Sequence, residues 1–290
     1  MAKGGTRPDE ETPWSALDRE ARVVHTPCGA GQMVWRVWGS GEPLVLLHGG
    51  AGSWLHWLRT IPAFSAERMV VAPDLPGLGG SADPPAEQED GGVSAVAAGL
   101  DAVLGTQAPL DLVGFSFGGF VAGMIASMRP VRSLTLVGSG GLGTVQQTAR
   151  LERVRDKQGE AREAAHRSNL QRWMIADPAR IDPAAVAIQD WNSRHARLDS
   201  RPFGLGDALV RTLPRTTCRI AGIWGALDHA VQGDTEKPRA VLQALRPGAP
   251  FHVVAGAGHW VAYEAPGAFA AALRSALTLD AKEHSPHEHA

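Results

Sequence analysis

The chain has 290 residues, of which 44% are hydrophobic and 20% are charged, and its formal net charge at pH 7 is −2. This balance is ordinary for a globular enzyme, and it argues against the clustered basic surface of a nucleic-acid-binding protein. The sequence contains neither a run of about 20 apolar residues that could span a membrane nor the apolar segment of a secretory signal. Cys28 and Cys218 are too far apart in sequence to form a metal or redox motif. We therefore expect a cytoplasmic protein that acts on a small molecule, binds neither nucleic acid nor membrane, and needs no metal or other cofactor.

Short apolar runs recur along the chain, and each ends in a glycine-rich turn. They are nearly continuous rather than alternating, which is typical of strands buried on both faces of a parallel sheet. Segments 22–26 and 32–38 favour an antiparallel pair at one edge of that sheet, and helical segments lie between the later runs. The pattern predicts an α/β fold with a mostly parallel eight-stranded sheet sandwiched by helices. In chain order the runs are EPLVLLHGG, RMVVAPDLPG, LDLVGFSFGG, VRSLTLVGSGG, CRIAGIWGALD and FHVVAGAGHW.

The strand rhythm breaks over residues 144–213, which lack β-branched runs and are mostly helical in pattern, and it resumes at Cys218. A helical insertion between two strands of one sheet is best explained as a cap over the edge of the sheet. We therefore expect a core formed by residues 21–143 and 214–279, with the cap inserted between its two parts. The polar ends of the chain, residues 1–20 and 280–290, are predicted to be flexible tails.

The run LDLV leads into Gly114-Phe115-Ser116-Phe117-Gly118, which matches the G-x-S-x-G pattern of a nucleophile elbow. Glycines two residues before and after the serine let a strand turn sharply into a helix and leave the hydroxyl exposed. In a parallel sheet such a corner lies at the carboxyl end of a strand, where active sites form. The same pattern also fits a plain strand-to-helix turn in which Ser116 caps the helix. Its position after a buried strand favours the nucleophile.

A serine nucleophile needs a base, because its hydroxyl reacts poorly near neutral pH. His259 follows the last apolar run and precedes the final helical segment, which makes it the best candidate; His229 is its nearest competitor. Asp228 follows the preceding run and would orient the imidazole and stabilise its cation, with Asp234 as the alternative. The sequence therefore predicts a nucleophile, a base and an orienting carboxylate at neighbouring strand ends.

The loop HGGAGSW, residues 48–54, follows the first of the parallel runs. Backbone N–H groups that bind a developing oxyanion must approach it closely, which favours glycine. The N–H of Phe117, directly after the serine, is one expected donor, and the loop supplies the other from Gly50 or, as the second choice, Ala51. A phosphate-binding loop is excluded, because neither G-x-x-x-x-G-K-[ST] nor G-x-G-x-x-G with a following acid is present.

Together these motifs resemble the α/β-hydrolase superfamily, in which the triad follows the order Ser116, Asp228, His259. The resemblance covers residues 23–279 and implies the fold, the cap and a serine nucleophile. Haloalkane dehalogenases and soluble epoxide hydrolases share the fold but use aspartate at the elbow. HGGAGSW and GHWVAYEAP are most similar to meta-cleavage-product hydrolases, which cut a carbon–carbon bond in vinylogous 1,5-diketones, and to related esterases.

Two positions depart from the pattern of the meta-cleavage-product hydrolases. Phe115 stands where that group often has asparagine, and Gln189 stands where it has a cap arginine that pairs with the substrate carboxylate. Arg194 is a displaced candidate for that arginine. A neutral glutamine cannot form the bidentate guanidinium–carboxylate pair, which argues against an acid-bearing substrate.

Several of the nine tryptophans fall near the predicted site and favour a small apolar or aromatic ligand. We expect a serine hydrolase that acts on a small, largely apolar ester or on a ring-cleavage carbon–carbon bond. A non-hydrolytic lyase or a ligand-binding receptor on the same fold is the alternative. A homodimer is compatible with these features. The tryptophans are Trp54, Trp57, Trp173, Trp191 and Trp260, and the candidate substrate contacts are Trp54, Trp173, Trp191, Gln189, Arg194 and Trp260.

Overall fold

The computed structural model describes residues 11–85, 90–106, 108–146 and 150–278. The strands are β1 (Arg22–Cys28), β2 (Gly31–Trp38), β3 (Pro43–Leu47), β4 (Met69–Pro73), β5 (Asp111–Phe115), β6 (Ser133–Val137), β7 (Arg219–Gly225) and β8 (Phe251–Val254). The helices are α1 (Ser15–Glu20), α2 (Ile61–Phe64), α3 (Val93–Leu104), α4 (Phe117–Ala126), α5 (Gly159–Asn169), α6 (Pro183–His195), α7 (Arg201–Leu205), α8 (Ala208–Thr212), α9 (Glu236–Leu245), α10 (Val261–Glu264) and α11 (Pro266–Thr278). Short 3₁₀ turns occur at Trp54–Trp57, Pro178–Arg180, Leu213–Arg215 and His229–Val231, and a π-helical turn at Leu170–Met174.

The strands form one sheet in the order β1-β2-β4-β3-β5-β6-β7-β8. β2 is antiparallel to both β1 and β4, and the other neighbouring strands are parallel. Alternate residues of β3 pack on opposite faces: Leu44 and Leu46 lie in one hydrophobic cluster, and Val45 and Leu47 lie in the other. The sheet is therefore buried on both sides, as the continuous apolar runs indicate. The predicted α/β fold is confirmed, including the antiparallel pair at one edge.

Parallel pairing brings the carboxyl ends of β3, β5, β6, β7 and β8 to one edge of the sheet. The loops that carry the predicted site residues leave the sheet at that edge. A ligand that binds between these loops therefore meets groups from distant parts of the sequence.

The regular elements that the structure describes between β6 and β7 are all helical. We call residues 150–213 the cap segment, in line with the proposed inserted cap of residues 144–213. The backbone N–H groups of Arg197 and Leu198 both donate to Gly77 O, and Gly141 N donates to Gly204 O. These bonds fasten the cap segment to loops at the carboxyl edge of the sheet.

Helix α1 lies in a part of the chain that the sequence assigns to a flexible tail of residues 1–20. That assignment is wrong for residues 15–20, because two side chains of β2 hold the helix. Arg36 donates to Asp18 Oδ1 over 2.6 Å, and Trp38 Nε1 donates to Leu17 O over 2.8 Å. Of the predicted tails, residues 1–10 and 280–290 lie outside the described residues. Within the described ranges, no helix has the length and apolar character to cross a membrane.

Candidate active site

Ser116 stands alone between the last residue of β5, Phe115, and the first residue of α4, Phe117. Its φ of 51° and ψ of −114° lie in a region that costs an L-residue about 1–3 kcal/mol. Surrounding backbone groups impose this conformation: Ser116 N donates to Val137 O over 2.9 Å, and Gly140 N donates to Ser116 O over 3.2 Å. The strand therefore turns into the helix at a single, strained residue.

Three glycines let this turn close. A Cβ atom on Gly114 would overlap the carbonyl oxygen of Gly118, and one on Gly118 would overlap that of Leu47. A Cβ atom on Gly119 would overlap Ser139 Oγ. None of the three glycines has a positive φ, so close approach of neighbouring chain, rather than backbone conformation, requires them.

The hydroxyl of Ser116 does not cap α4. Ser116 occupies the N-cap position, but its side chain makes no hydrogen bond to the first turn of the helix. Its Oγ lies 3.1 Å from His259 Nε2 instead. The simple helix-cap interpretation is therefore wrong.

His259 lies in the loop between β8 and α10, and its ring joins Ser116 to Asp228. His259 Nδ1 is 2.9 Å from each carboxylate oxygen of Asp228. A carboxylate at Nδ1 favours the tautomer with its proton there, so that Nε2 can accept the proton of the Ser116 hydroxyl. Asp228 is fully buried, and its Oδ1 also accepts the Ala230 N–H over 2.8 Å, which fixes the carboxylate. The arrangement can transfer a proton from the serine to the imidazole.

The two alternative residues lie at the surface. His229 is exposed. Asp234 is 44% exposed and forms an ion pair with Lys237 at 3.5 Å. The structure thus brings Asp228 and His259, and neither alternative, to the Ser116 hydroxyl.

Glu264 holds the loop that carries His259. This carboxylate is 3% exposed and accepts the Gly258 N–H over 2.7 Å. It also accepts two N–H groups of the cap segment, from Ala176 over 3.1 Å and from Asp177 over 2.8 Å. One buried side chain therefore ties the histidine loop to the cap segment.

Two neutral histidines hold the loop after β3. His48 Nε2 accepts the Leu75 N–H over 2.8 Å, so its Nδ1 donates to Gly49 O, also over 2.8 Å. His56 Nδ1 accepts the Gly49 N–H over 3.2 Å. Burial lowers the pKa of His48 and lowers that of His56 well below its usual range, so both rings stay uncharged. The peptide groups on either side of Gly49 are thereby fixed.

Gly50 and Phe117, the predicted oxyanion donors, line the same cavity as Ser116 and His259. Phe117 begins α4, so its N–H points out of the first turn of the helix, where negative charge is favoured. Ala51, the second choice in the loop, also lines the cavity and has a positive φ of 43°.

The active-site cavity has a volume of about 310 Å³ and is lined mainly by apolar side chains. Trp173 of the cap segment forms part of its wall, with its ring centroid 5.6 Å from that of His259. Among the described residues, no group of three or more His, Cys, Asp or Glu side chains could hold a metal ion. The apolar lining includes Val145, Leu151, Leu170, Met174, Leu205, Phe115 and Phe117.

Two of the six predicted substrate contacts, Trp173 and Gln189, line this cavity, and the other four do not. Trp54 is buried below the loop, where it packs against Trp38 with ring centroids 5.3 Å apart. Trp260 is buried and donates from Nε1 to His56 O over 2.8 Å.

The other two, Trp191 and Arg194, belong to α6 and do not line the cavity either. The Trp191 ring stacks on His195, with centroids 4.0 Å apart. Arg194 is 56% exposed and pairs with Asp190 at 2.8 Å. Trp57, also placed near the site by sequence, is buried against Phe269.

Sequence reasoning missed His56 and Ser200, which also line the cavity. His56 Nε2 is buried and has no hydrogen-bond partner among the described residues. His56 follows the glycine loop by only two residues and lies on the same short turn as Trp54. Its closeness to the loop in the sequence therefore indicates a position near the site. Ser200 had no such signal, since it reaches the site only through the fold of the cap segment.

The alpha/beta hydrolase family model matches residues 44–272. A segment of the chain is 40% identical over 111 residues to a 2-hydroxymuconate semialdehyde hydrolase of Pseudomonas sp. strain CF600, covering 36% of this chain and 38% of that protein. The chain thus spans well under half the length of this curated relative. Among solved structures, the esterase RhEst1 from Rhodococcus sp. ECU1013 matches 87% of this chain and 97% of its own, with a TM-score of 0.71 and 20% identity. A mutant of the meta-cleavage product hydrolase CumD matches 88% of this chain and 97% of its own, with a TM-score of 0.65 and 21% identity.

Proposed function

This chain belongs to the alpha/beta hydrolase family, and we propose that within it the protein is a serine hydrolase that cleaves a small, largely apolar ester. The observation that carries the proposal is the hydrogen-bonded series Ser116, His259 and Asp228 at the wall of an apolar cavity. A serine that was only structural would not need a strained backbone and a buried imidazole–carboxylate pair beside it.

In the proposed reaction, Ser116 Oγ attacks the ester carbonyl carbon while His259 Nε2 takes the hydroxyl proton. The tetrahedral intermediate collapses, the alcohol leaves with that proton, and an acyl group stays on Ser116. Water then attacks the acyl carbon and gives a proton to His259, which returns it to Ser116 as the acid is released. Asp228 stabilises the imidazolium in both halves of the cycle.

The backbone N–H groups of Gly50 and Phe117 would bind the carbonyl oxygen as it becomes an oxyanion. Each such donor contributes about 3 kcal/mol of transition-state stabilisation. The hydrogen bonds from His48 and to His56 support this role, because they fix the neighbouring peptide groups before a substrate arrives.

The charges of the cavity favour an uncharged substrate. Arg201 is the only arginine or lysine among the described residues that line it, and it is 78% exposed and paired with Asp199 at 2.7 Å. The side chain of Gln189, at the position expected for a carboxylate-binding arginine, is neutral. A substrate carboxylate would therefore lose its hydration without gaining a free cation.

Cleavage of a carbon–carbon bond is the second candidate, favoured by the similarity to the 2-hydroxymuconate semialdehyde hydrolase. The neutral Gln189 and the presence of Phe115 beside the nucleophile weigh against it. Phe115 is 2% exposed and packs against His259 with ring centroids 4.9 Å apart, so it supplies an apolar surface rather than a hydrogen bond.

Turnover of p-nitrophenyl acetate, butyrate and octanoate, compared with a meta-cleavage dienoate, tests the proposal. We expect hydrolysis of the short esters and no turnover by Ser116→Ala. Activity on the dienoate far above that on the esters would favour the carbon–carbon bond reaction. Tight binding of ligands without turnover would instead indicate a receptor.

A further inference from the structure

Ser200 of the cap segment lies directly against the loop that carries Gly50. A Cβ atom on Gly50 would overlap Ser200 Oγ, and it would lie 3.0 Å from Ser200 Cβ and 3.7 Å from Phe117 Cβ. Ser200, Gly50, Phe117 and Ser116 all line the active-site cavity. The Ser200 hydroxyl therefore lies against Gly50 and near Phe117, the two residues whose N–H groups are the proposed oxyanion donors.

The hydroxyl of Ser200 has no other task among the described residues. Ser200 is the N-cap residue of α7, a position at which a serine oxygen usually accepts a backbone N–H from the first turn. Here its φ of −85° and ψ of −6° are helical, and the side chain makes no capping hydrogen bond. Its Oγ–H is thus free to donate to a molecule in the cavity.

The backbone around Ser200 is fixed to the core on both sides. Before it, the Leu198 N–H donates to Gly77 O over 3.1 Å, and after it, Gly204 O accepts the Gly141 N–H over 2.9 Å. The flanking residues close a tight turn, in which Arg201 donates from Nε and Nη2 to the two carboxylate oxygens of Asp199 over 2.8 and 2.7 Å. A donor held in this way needs little reorganisation when charge develops on the substrate.

We infer that the Ser200 hydroxyl is a third donor to the oxyanion, supplied by the cap segment to complement the N–H groups of Gly50 and Phe117. The inference rests on the proposed hydrolase function. It also explains why position 50 is glycine: any side chain there would occupy the space of Ser200 Oγ. The site would then be complete only with the cap segment in place.

The test is the steady-state kinetics of Ser200→Ala with p-nitrophenyl butyrate, together with its affinity for an alkyl trifluoromethyl ketone, which forms a tetrahedral adduct on serine. We expect kcat to fall about 100-fold, the size typical of the loss of one oxyanion donor, with KM changed less than about twofold. The affinity for the ketone should fall by a similar factor, and the melting temperature should stay unchanged. Ser193→Ala, in the same segment, is the control, because the Ser193 hydroxyl bonds to Asp190 O and does not line the cavity.

A second pair of variants separates packing from hydrogen bonding. Gly50→Ala should be destabilised by its overlap with Ser200. Adding Ser200→Gly should restore the melting temperature but not kcat, because the hydroxyl is gone. If the double variant recovers kcat, Ser200 acts only by its bulk and the inference is overturned.

The outcomes distinguish this inference from the proposed function. If the wild type hydrolyses the ester and Ser200→Ala keeps its kcat within about threefold, less than the loss expected for any oxyanion donor, the inference is overturned while the hydrolase function stands. A rise in KM at constant kcat has the same meaning, because only substrate binding has changed. If the wild type neither hydrolyses the ester nor binds the ketone covalently, both the inference and the proposed function are wrong.

Discussion

His259 Nε2 lies 3.1 Å from Ser116 Oγ, although the two residues are 143 positions apart in the sequence. The sheet accounts for this contact, since β5 and β8 run parallel within it and their carboxyl ends open to the same edge. The strained Ser116 backbone aims the hydroxyl, and the buried Asp228 holds the imidazole from the other side.

Asp228→Asn should lower kcat by about 10⁴-fold with little effect on KM. The amide can still accept the Ala230 N–H, so the fold should persist, but it would favour the His259 tautomer that cannot take the serine proton. Asp234→Asn is the matched control, because Asp234 is a surface partner of Lys237. Equal activity of the two variants in an ester assay would show that Asp228 does not orient the base.

Glu264→Gln should lower the free energy of unfolding by about 1–3 kcal/mol, because an amide NH₂ would face at least one of the three N–H groups that now bond to the buried carboxylate. The same substitution should also lower kcat, because the Glu264 carboxylate positions the loop that carries His259. Urea unfolding and ester kinetics measure the two effects. Glu236→Gln, at a side chain that is 74% exposed, should change neither. Wild-type values for both quantities in Glu264→Gln would contradict the positioning role.

Gly118→Ala should lower the free energy of unfolding by about 1–3 kcal/mol or prevent folding altogether. The new methyl group would overlap the backbone of Leu47, which cannot move aside as a flexible side chain could. Gly267→Ala in α11 is the control: no atom lies within 4 Å of its Cβ position, so it should be neutral or slightly stabilising. Thermal unfolding compares them. A normal melting temperature for Gly118→Ala would mean that the turn at Ser116 is looser than the structure shows.

Lowering the pH from 7.5 to 5 should destabilise the protein in part through His56. Burial lowers the pKa of His56 well below the usual 6.5, so the unfolded chain binds a proton that the folded chain does not. The contribution of neutral His56 to the free energy of unfolding is therefore complete above about pH 6.5, and it is lost as the pH falls below that value. His56→Asn keeps an acceptor for the Gly49 N–H and should show a smaller drop in melting temperature over this range. An unchanged pH dependence in the variant would contradict a neutral His56.

The fold and the proximity of Ser116, Asp228 and His259 could be predicted from sequence because both follow from local patterns. Continuous apolar runs mark buried parallel strands, and polar groups directly after such runs meet at one edge of the sheet. The order of Ser116, Asp228 and His259 then selected one acid and one base among several.

The substrate contacts could not be predicted in the same way, because they depend on the direction of each side chain. Trp260 follows His259 directly, yet its ring turns away from the cavity to reach His56 O. Arg194 is four residues from Asp190 on α6 and pairs with it along the helix. Ser200 and α1 depend on contacts with distant segments, which no local pattern encodes.

Covalent labelling with a fluorophosphonate, followed by intact-mass and peptide mass spectrometry of the wild type and Ser116→Ala, tests most directly whether Ser116 is the nucleophile. We expect one adduct on the wild type, located on Ser116, and none on the variant at the same folded concentration. An equally labelled Ser116→Ala protein, or a folded wild type that does not react, would contradict it.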